Sequence, residues 1–264
     1  MKRPATILCI GGSDAGGGAG IQADLKAVSA CGGYALTVIT ALTAQNTRGV
    51  RDILPVSKKF IAAQLDAVLS DIGADAVKTG MLLTAGAVEA VVRAIDQYAL
   101  GQVVVDPVMT AKGGRSMMQD KALKALLEKL LPRAQVVTPN IPEAEALAHM
   151  KIRSVAAMKK AAAVIRECGV ANVVIKGGHL PGTGRSGSTD ILFDGKKYYE
   201  FSADWIETKN THGTGCTYAS VLAASIGRGE NMVNAVKEAK RLVTRAIRYS
   251  LDLGEGHGPV NIAG

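Results

Sequence analysis

Thr6-Ile-Leu-Cys-Ile-Gly-Gly-Ser-Asp-Ala-Gly-Gly-Gly-Ala-Gly-Ile-Gln-Ala-Asp24 decides the fold. Thr6–Ile10 is a short apolar run, the pattern of a buried strand. A glycine-rich stretch follows, and from Ala19 to Cys31 the sequence reads as a helix stopped by Gly32 and Gly33. Strand, glycine turn and helix in that order make the first half of a βαβ unit. In such sheets ligands bind beyond the carboxyl ends of the strands.

The rhythm continues outward. Tyr34–Ala44, Ala76–Lys78, Gln102–Asp106, Val136–Thr138 and Asn172–Lys176 read as strands. Lys58–Ser70, Gly86–Tyr98, Ala122–Leu131 (closed by Pro132) and Ser154–Cys168 read as helices between them. In the last of these, Ser154 is an N-cap and Gly169 follows the C-terminus. Ser188–Asp194 and Lys197–Phe201 flank Asp194-Gly195, a hairpin signal. Two helices, Gly215–Ile226 and Met232–Leu251, close the chain. This predicts one α/β domain over residues 1–264: a mostly parallel sheet with helices on both faces and a late hairpin at the sheet edge.

Composition sets the bounds. The chain has 264 residues, 48% hydrophobic and 20% charged, with a net charge of +8. That is ordinary globular composition and excludes a disordered chain, a collagen and a coiled coil. Three Phe, six Tyr and one Trp against 30 Gly disfavour a protein built on base-stacking aromatics. The basic balance points to anionic partners. The four cysteines lack CxxC spacing, so a reducing compartment is expected, and a soluble cytoplasmic protein with it. No segment approaches the length of a membrane span.

Chemistry gathers where strands end. Thr211-His-Gly-Thr-Gly-Cys-Thr217 leads into a helix, leaving backbone N–H groups open to an anion. Cys216 sits in the first turn, where a thiol pKa is lowered, as befits a base or nucleophile; a docked phosphate would act the other way. Taken alone, the motif is equally a glycine turn with a small packed cysteine. The other strand ends are polar: Gln45-Asn46, Lys78 to Met81, Asp106-Pro-Val108, Asn140 to Glu143, and Lys176 to His179. Carboxylates, a lysine and a helix N-terminus together suit phosphoryl transfer with a divalent metal. Separately, Asn140 reads as a helix cap and Asp106-Pro as a turn. The one literal G-x-G-x-x-G, Gly182–Gly187, runs into a strand, so its context fails and a mobile loop over 178–188 is expected. There is no Walker A motif. His179 and His212 flank the site, whereas His149 and His257 look incidental. Lys237, Lys240, Arg241, Arg245 and Arg248 form a stripe on the last helix that reads as a solvated face and not as a nucleic-acid surface.

Taken together, Gly17–Lys26, Ala44–Val50, Lys78–Leu82, Asp106–Met109, Thr138–Glu143, Lys176–His179 and Thr211–Cys216 resemble the hydroxymethylpyrimidine/phosphomethylpyrimidine kinases of thiamine biosynthesis, within the ribokinase superfamily. The resemblance spans nearly the whole chain. It implies a single-domain ribokinase-like α/β sandwich, ATP and Mg²⁺, and phosphorylation of a pyrimidine alcohol and then of its monophosphate. It also implies a homodimer; the residues themselves lead to no expectation of a membrane or nucleic-acid partner. Carried over by position, Gly12, Asp24, Gln45, Met81 and Val108 line the pyrimidine pocket. Lys176 and Asn140 serve ATP and its phosphates, and Gly213, Thr214 and Gly215 form the anion hole. Cys216 is the base, and Asp106 and Glu143 lie on the metal side. The first glycine stretch, Gly11–Gly16, departs from the commoner version, and Thr110 precedes Ala111-Lys-Gly-Gly. The related pyridoxal kinases share the fold and the Gly-Cys helix start; Gln45-Asn-Thr resembles the pyrimidine kinases more, and the alternative is a pyridoxal kinase or an enzyme with both activities.

Overall fold

A computed structural model describes residues 3–110, 117–178, 180 and 187–263. Its elements, in chain order, are β1 (Thr6–Asp14), α1 (Gly20–Ala30), β2 (Tyr34–Asn46), β3 (Gly49–Pro55), α2 (Lys58–Leu69), β4 (Ala76–Thr79), α3 (Ala85–Gln97), β5 (Val103–Val105), α4 (Asp120–Ala125), β6 (Val136–Val137), α5 (Ile141–Ala148), α6 (Val155–Arg166), β7 (Asn172–Ile175), β8 (Ser188–Phe193), β9 (Tyr198–Ala203), α7 (Thr214–Gly227) and α8 (Met232–Arg248).

The strands form one sheet in the order β3-β2-β1-β4-β5-β6-β7-β8-β9. The six central strands, β2 through β7 in that order, are parallel. β3, β8 and β9 add antiparallel edges. Central strands buried on both faces need apolar residues at every position, which is why they read as continuous valine runs. Alternate residues feed opposite cores. Leu8, Ile10, Val103, Val105 and Ile175 face a cluster that includes α2 to α6. Ile7, Cys9, Val104, Val136 and Val174 face a cluster with α1, α7 and α8. Side-chain caps fix several helix starts: Ser57, Thr84, Ser154 and Asn231 each accept from a backbone N–H three residues on.

Two departures from the sequence expectation stand out. Residues 49–55 form a strand that sequence patterning missed, because Arg51 and Asp52 interrupt its apolar alternation. The helix expected over 122–131 is instead α4 followed by a wide π turn, Leu126–Leu130, and a 3₁₀ turn, Leu131–Arg133. Pro132 therefore opens a last turn instead of stopping a helix, a position where its missing N–H costs nothing.

The chain runs from β1 to one side, into β2, and later resumes on the other side with β4. This reversal leaves a crevice at the carboxyl ends of β1 and β4, the place where such sheets bind ligands.

Candidate active site

A cavity of about 580 Å³ opens at that crevice. One end is built by β1. The β1–β2 register shifts between Gly11 and Gly12, a bulge that turns the strand end toward the cavity. A Cβ at Gly12 would collide with the Met81 side chain, so the glycine lets Met81 lie across the floor. Gly20 has φ +57° and packs its α-carbon onto the Gly12 carbonyl, a conformation and a closeness that only glycine tolerates. Thr43, Gln45, Met81, Val108 and Met117 line this end. Asp14 anchors the loop by accepting from the N–H groups of Gly16, Gly18 and Ala19 at 2.8, 3.0 and 2.8 Å. His212 Nε2 donates to Asp14 at 2.8 Å and lies 3.3 Å from the Gln45 side-chain amide. Burial pushes Asp14 upward, but His212 and the backbone donors outweigh it and hold the carboxyl below its ordinary range.

The other end is the start of α7. Gly213 caps that helix at φ +84°, and a Cβ there would strike the Gly18 carbonyl. The two glycine clusters thus interlock, which brings the loop after β1 and the loop before α7 into one wall. Gly213, Thr214, Gly215 and Cys216 all line the cavity, with helix N–H groups at its edge. Lys176, at the end of β7, reaches Asp106 Oδ1 at 2.8 Å, and Thr138 donates to the same oxygen at 3.1 Å. Burial opposes the Lys176 charge, yet Asp106 and then Glu143 hold its pKa above the ordinary value. Asn140 and Glu143 form a capping box on α5: Asn140 Oδ1 accepts from the Glu143 N–H at 2.9 Å, and Glu143 Oε2 from the Asn140 N–H at 2.8 Å. Burial lifts Glu143 to about 7, with Asp106 adding to the rise and Lys176 opposing it.

Of the residues singled out from sequence, Gly12, Gln45, Met81, Val108, Asp106, Asn140, Glu143, Lys176, Gly213, Thr214, Gly215 and Cys216 all line this one cavity. Asp24 does not. It is fully buried beneath the cavity, where Lys78 grips both its oxygens at 2.8 and 2.9 Å. The cysteine expectation also needs correction. A helix N-terminus lowers a thiol pKa, but burial dominates here and pushes Cys216 up to about 11; Lys78 and the Gly20 N–H only partly offset it. Lys240 was expected in a solvated stripe. It is buried and bonded to Asp190 and Ser188 at 3.0 and 2.9 Å, whereas Lys237, Arg241, Arg245 and Arg248 are exposed. His149 is a left-handed helix cap. His179 and residues 181–186 of the expected mobile loop lie outside the described residues.

Sequence reasoning passed over Asp14 and Asp190, and it placed Lys78 at a strand end without its partner Asp24. Asp14 ends β1 and Lys78 lies one residue before the end of β4, which was the available signal; Asp190 sits inside β8 and offered none. The partners that explain them lie far away in the chain.

Comparison with known proteins decides the family. The phosphomethylpyrimidine kinase family model matches residues 14–261. The chain belongs to that family. A thiamine biosynthesis bifunctional protein of Geobacter sulfurreducens is 50% identical over 97% of this chain and 52% of its own length, so the chain spans about half of that relative. The hydroxymethylpyrimidine/phosphomethylpyrimidine kinase of Bacillus subtilis is 46% identical over 96% of this chain and 93% of its own. Among solved structures, an ADP complex of Bacillus subtilis pyridoxal kinase matches with a TM-score of 0.91 at 36% identity, covering 98% of both chains. The fold is therefore the ribokinase-like fold of these kinases.

Proposed function

We propose that the chain is a single kinase domain that phosphorylates 4-amino-5-hydroxymethyl-2-methylpyrimidine and then its monophosphate, using ATP. The carrying observation is one cavity that joins an amide-and-thioether pocket (Gln45, Met81, Val108) to a glycine-lined helix start and Lys176. A carboxamide donates and accepts at adjacent positions, which suits an aminopyrimidine edge.

The substrate oxygen attacks the γ-phosphorus in line, and the bond to the ADP oxygen breaks. N–H groups of Gly213, Thr214 and Gly215 and the Lys176 ammonium spread the charge that develops. In the first step Cys216 takes the alcohol proton. In the second the attacking phosphate is already an anion. No group of three metal-binding side chains gathers among the described residues. Asp106 and Glu143 instead offer two carboxylates beside the phosphate site, the donor set magnesium uses when phosphates and water complete its shell. Asp106 Oδ2, left open by Lys176, and ionised Glu143 would hold a magnesium ion, which supplies charge neutralisation at the ATP phosphates.

Four free thiols favour a cytoplasmic setting, and no helix among the described residues is long and apolar enough to cross a membrane. Leu42 and Leu54 pair across β2 and β3 and are both exposed, a face that a second copy of the chain would cover. The deciding assay follows ADP formation with the aminopyrimidine alcohol, its phosphate and pyridoxal in parallel. Turnover of both pyrimidines supports the proposal, and turnover of pyridoxal alone overturns it in favour of a pyridoxal kinase.

A further inference from the structure

A second charged assembly lies directly under the cavity and is not explained by substrate binding. Lys78, one residue before the end of β4, is fully buried, yet it forms part of the cavity lining. Asp24 from α1 takes it bidentately. Ser220 from α7 donates to Asp24 Oδ1 at 2.7 Å. Ser220 is four residues after Cys216, so both side chains lie on one face of α7. The ammonium also sits against the α-carbon of Gly80: a Cβ there would lie 2.9 Å from Lys78 Nζ. The glycine leaves the space the charge occupies.

A buried ion pair is a weak source of stability, because two desolvated charges cost about as much as their attraction returns. Three elements nevertheless converge to hold this one at the cavity that Cys216 also lines. We propose that Lys78 is a positioning residue for the reaction, its ammonium being the counter-charge that favours the Cys216 thiolate, with Asp24 and Ser220 fixing and moderating that charge. The inference rests on Cys216 as the base of the alcohol step.

The groups facing Cys216 have definite signs. Lys78 from β4 and the Gly20 N–H at the start of α1 favour the thiolate. Asp24 from α1 and Asp106 after β5 disfavour it. Cys9 from β1 and Lys176 at the end of β7 also interact with it, Lys176 favourably. The Lys78 ammonium itself is kept above its ordinary range by Asp24, Cys216 and Asp106, against the opposing effect of burial.

Opposite charges in one pair give opposite expectations, which a purely structural role does not. The test is iodoacetamide alkylation of the intact protein from pH 7.5 to 9.5, with Cys216 followed by peptide mass spectrometry. Below the thiol midpoint the rate is proportional to the thiolate fraction. Lys78→Met should slow alkylation by roughly tenfold or more at fixed pH, Asp24→Asn should speed it, and Lys78→Arg should match wild type. Should single variants fail to fold, Lys78→Met with Asp24→Leu removes both charges and should fall between wild type and Lys78→Met. Shifts of one sign for Lys78→Met and Asp24→Asn, or a double variant as slow as Lys78→Met or slower, overturn the inference. Wild-type alcohol turnover by Cys216→Ala would instead overturn the base assignment and leave the alkylation shifts standing.

Discussion

Two lysine–aspartate pairs stand at neighbouring strand ends and are built differently. Lys78–Asp24 is closed: both carboxylate oxygens face the ammonium, Ser220 takes further capacity, and both side chains are almost wholly inaccessible. Lys176–Asp106 is open: only Oδ1 is engaged, Oδ2 faces the α7 start, and the lysine side chain keeps 14% of its exposure. The closed pair can act only through the field it creates. The open pair has room to exchange partners, which is what the proposed binding of a phosphate to Lys176 and of a cation to Asp106 requires. Under the proposed function, the same two residue types serve as fixed electrostatics in one place and as a ligand site in the other.

The difference can be broken by substitution. Lys78→Met strands the Asp24 carboxylate in the core and should cost roughly 3–5 kcal/mol in urea unfolding. Lys176→Met leaves Asp106 beside a wet cavity and should cost clearly less; equal costs would erase the distinction. In activity the ranking turns toward the open pair. Lys176→Ala should lower kcat for both phosphorylations by roughly 10²–10³-fold, because its charge serves the transferring group in each. The pH profile sharpens the contrast further. With the Cys216 thiol near 11, the thiolate fraction rises about tenfold per pH unit between pH 7 and 9. The alcohol step should climb over that range while the phosphate step stays nearly flat, as initial rates at saturating ATP would show. The smallest effect is expected at the α5 cap. Asn140→Ala should cost about 1 kcal/mol of stability by removing a bond to the Glu143 N–H.

Sequence patterning located the central strands because continuous valine runs such as 103–105 and 173–174 fit a sheet covered on both faces. It located the cavity for a related reason: glycines and polar residues that follow strands converge at the crevice. β3 escaped because an exposed edge strand tolerates Arg51 and Asp52 on its open side. Lys78–Asp24 and Asp14–His212 escaped because each joins residues 54 and 198 positions apart, and no local pattern encodes such a meeting. Lys240 was misread for the same reason, since its helical face looks charged until Asp190 is seen beneath it. The Cys216 pKa went astray because helix position is legible in a sequence and burial is not. Here burial is the larger effect.

The most direct test compares Cys216→Ala with wild type in initial rates on the aminopyrimidine alcohol and on its monophosphate. A general base contributes roughly 10²–10⁴-fold where a proton must leave the nucleophile. The alcohol step should therefore fall by that order, and the monophosphate step by far less. Equal losses in both steps would contradict Cys216 as the base and, with it, the division of the cavity into a proton-accepting thiol and a charge-bearing anion hole.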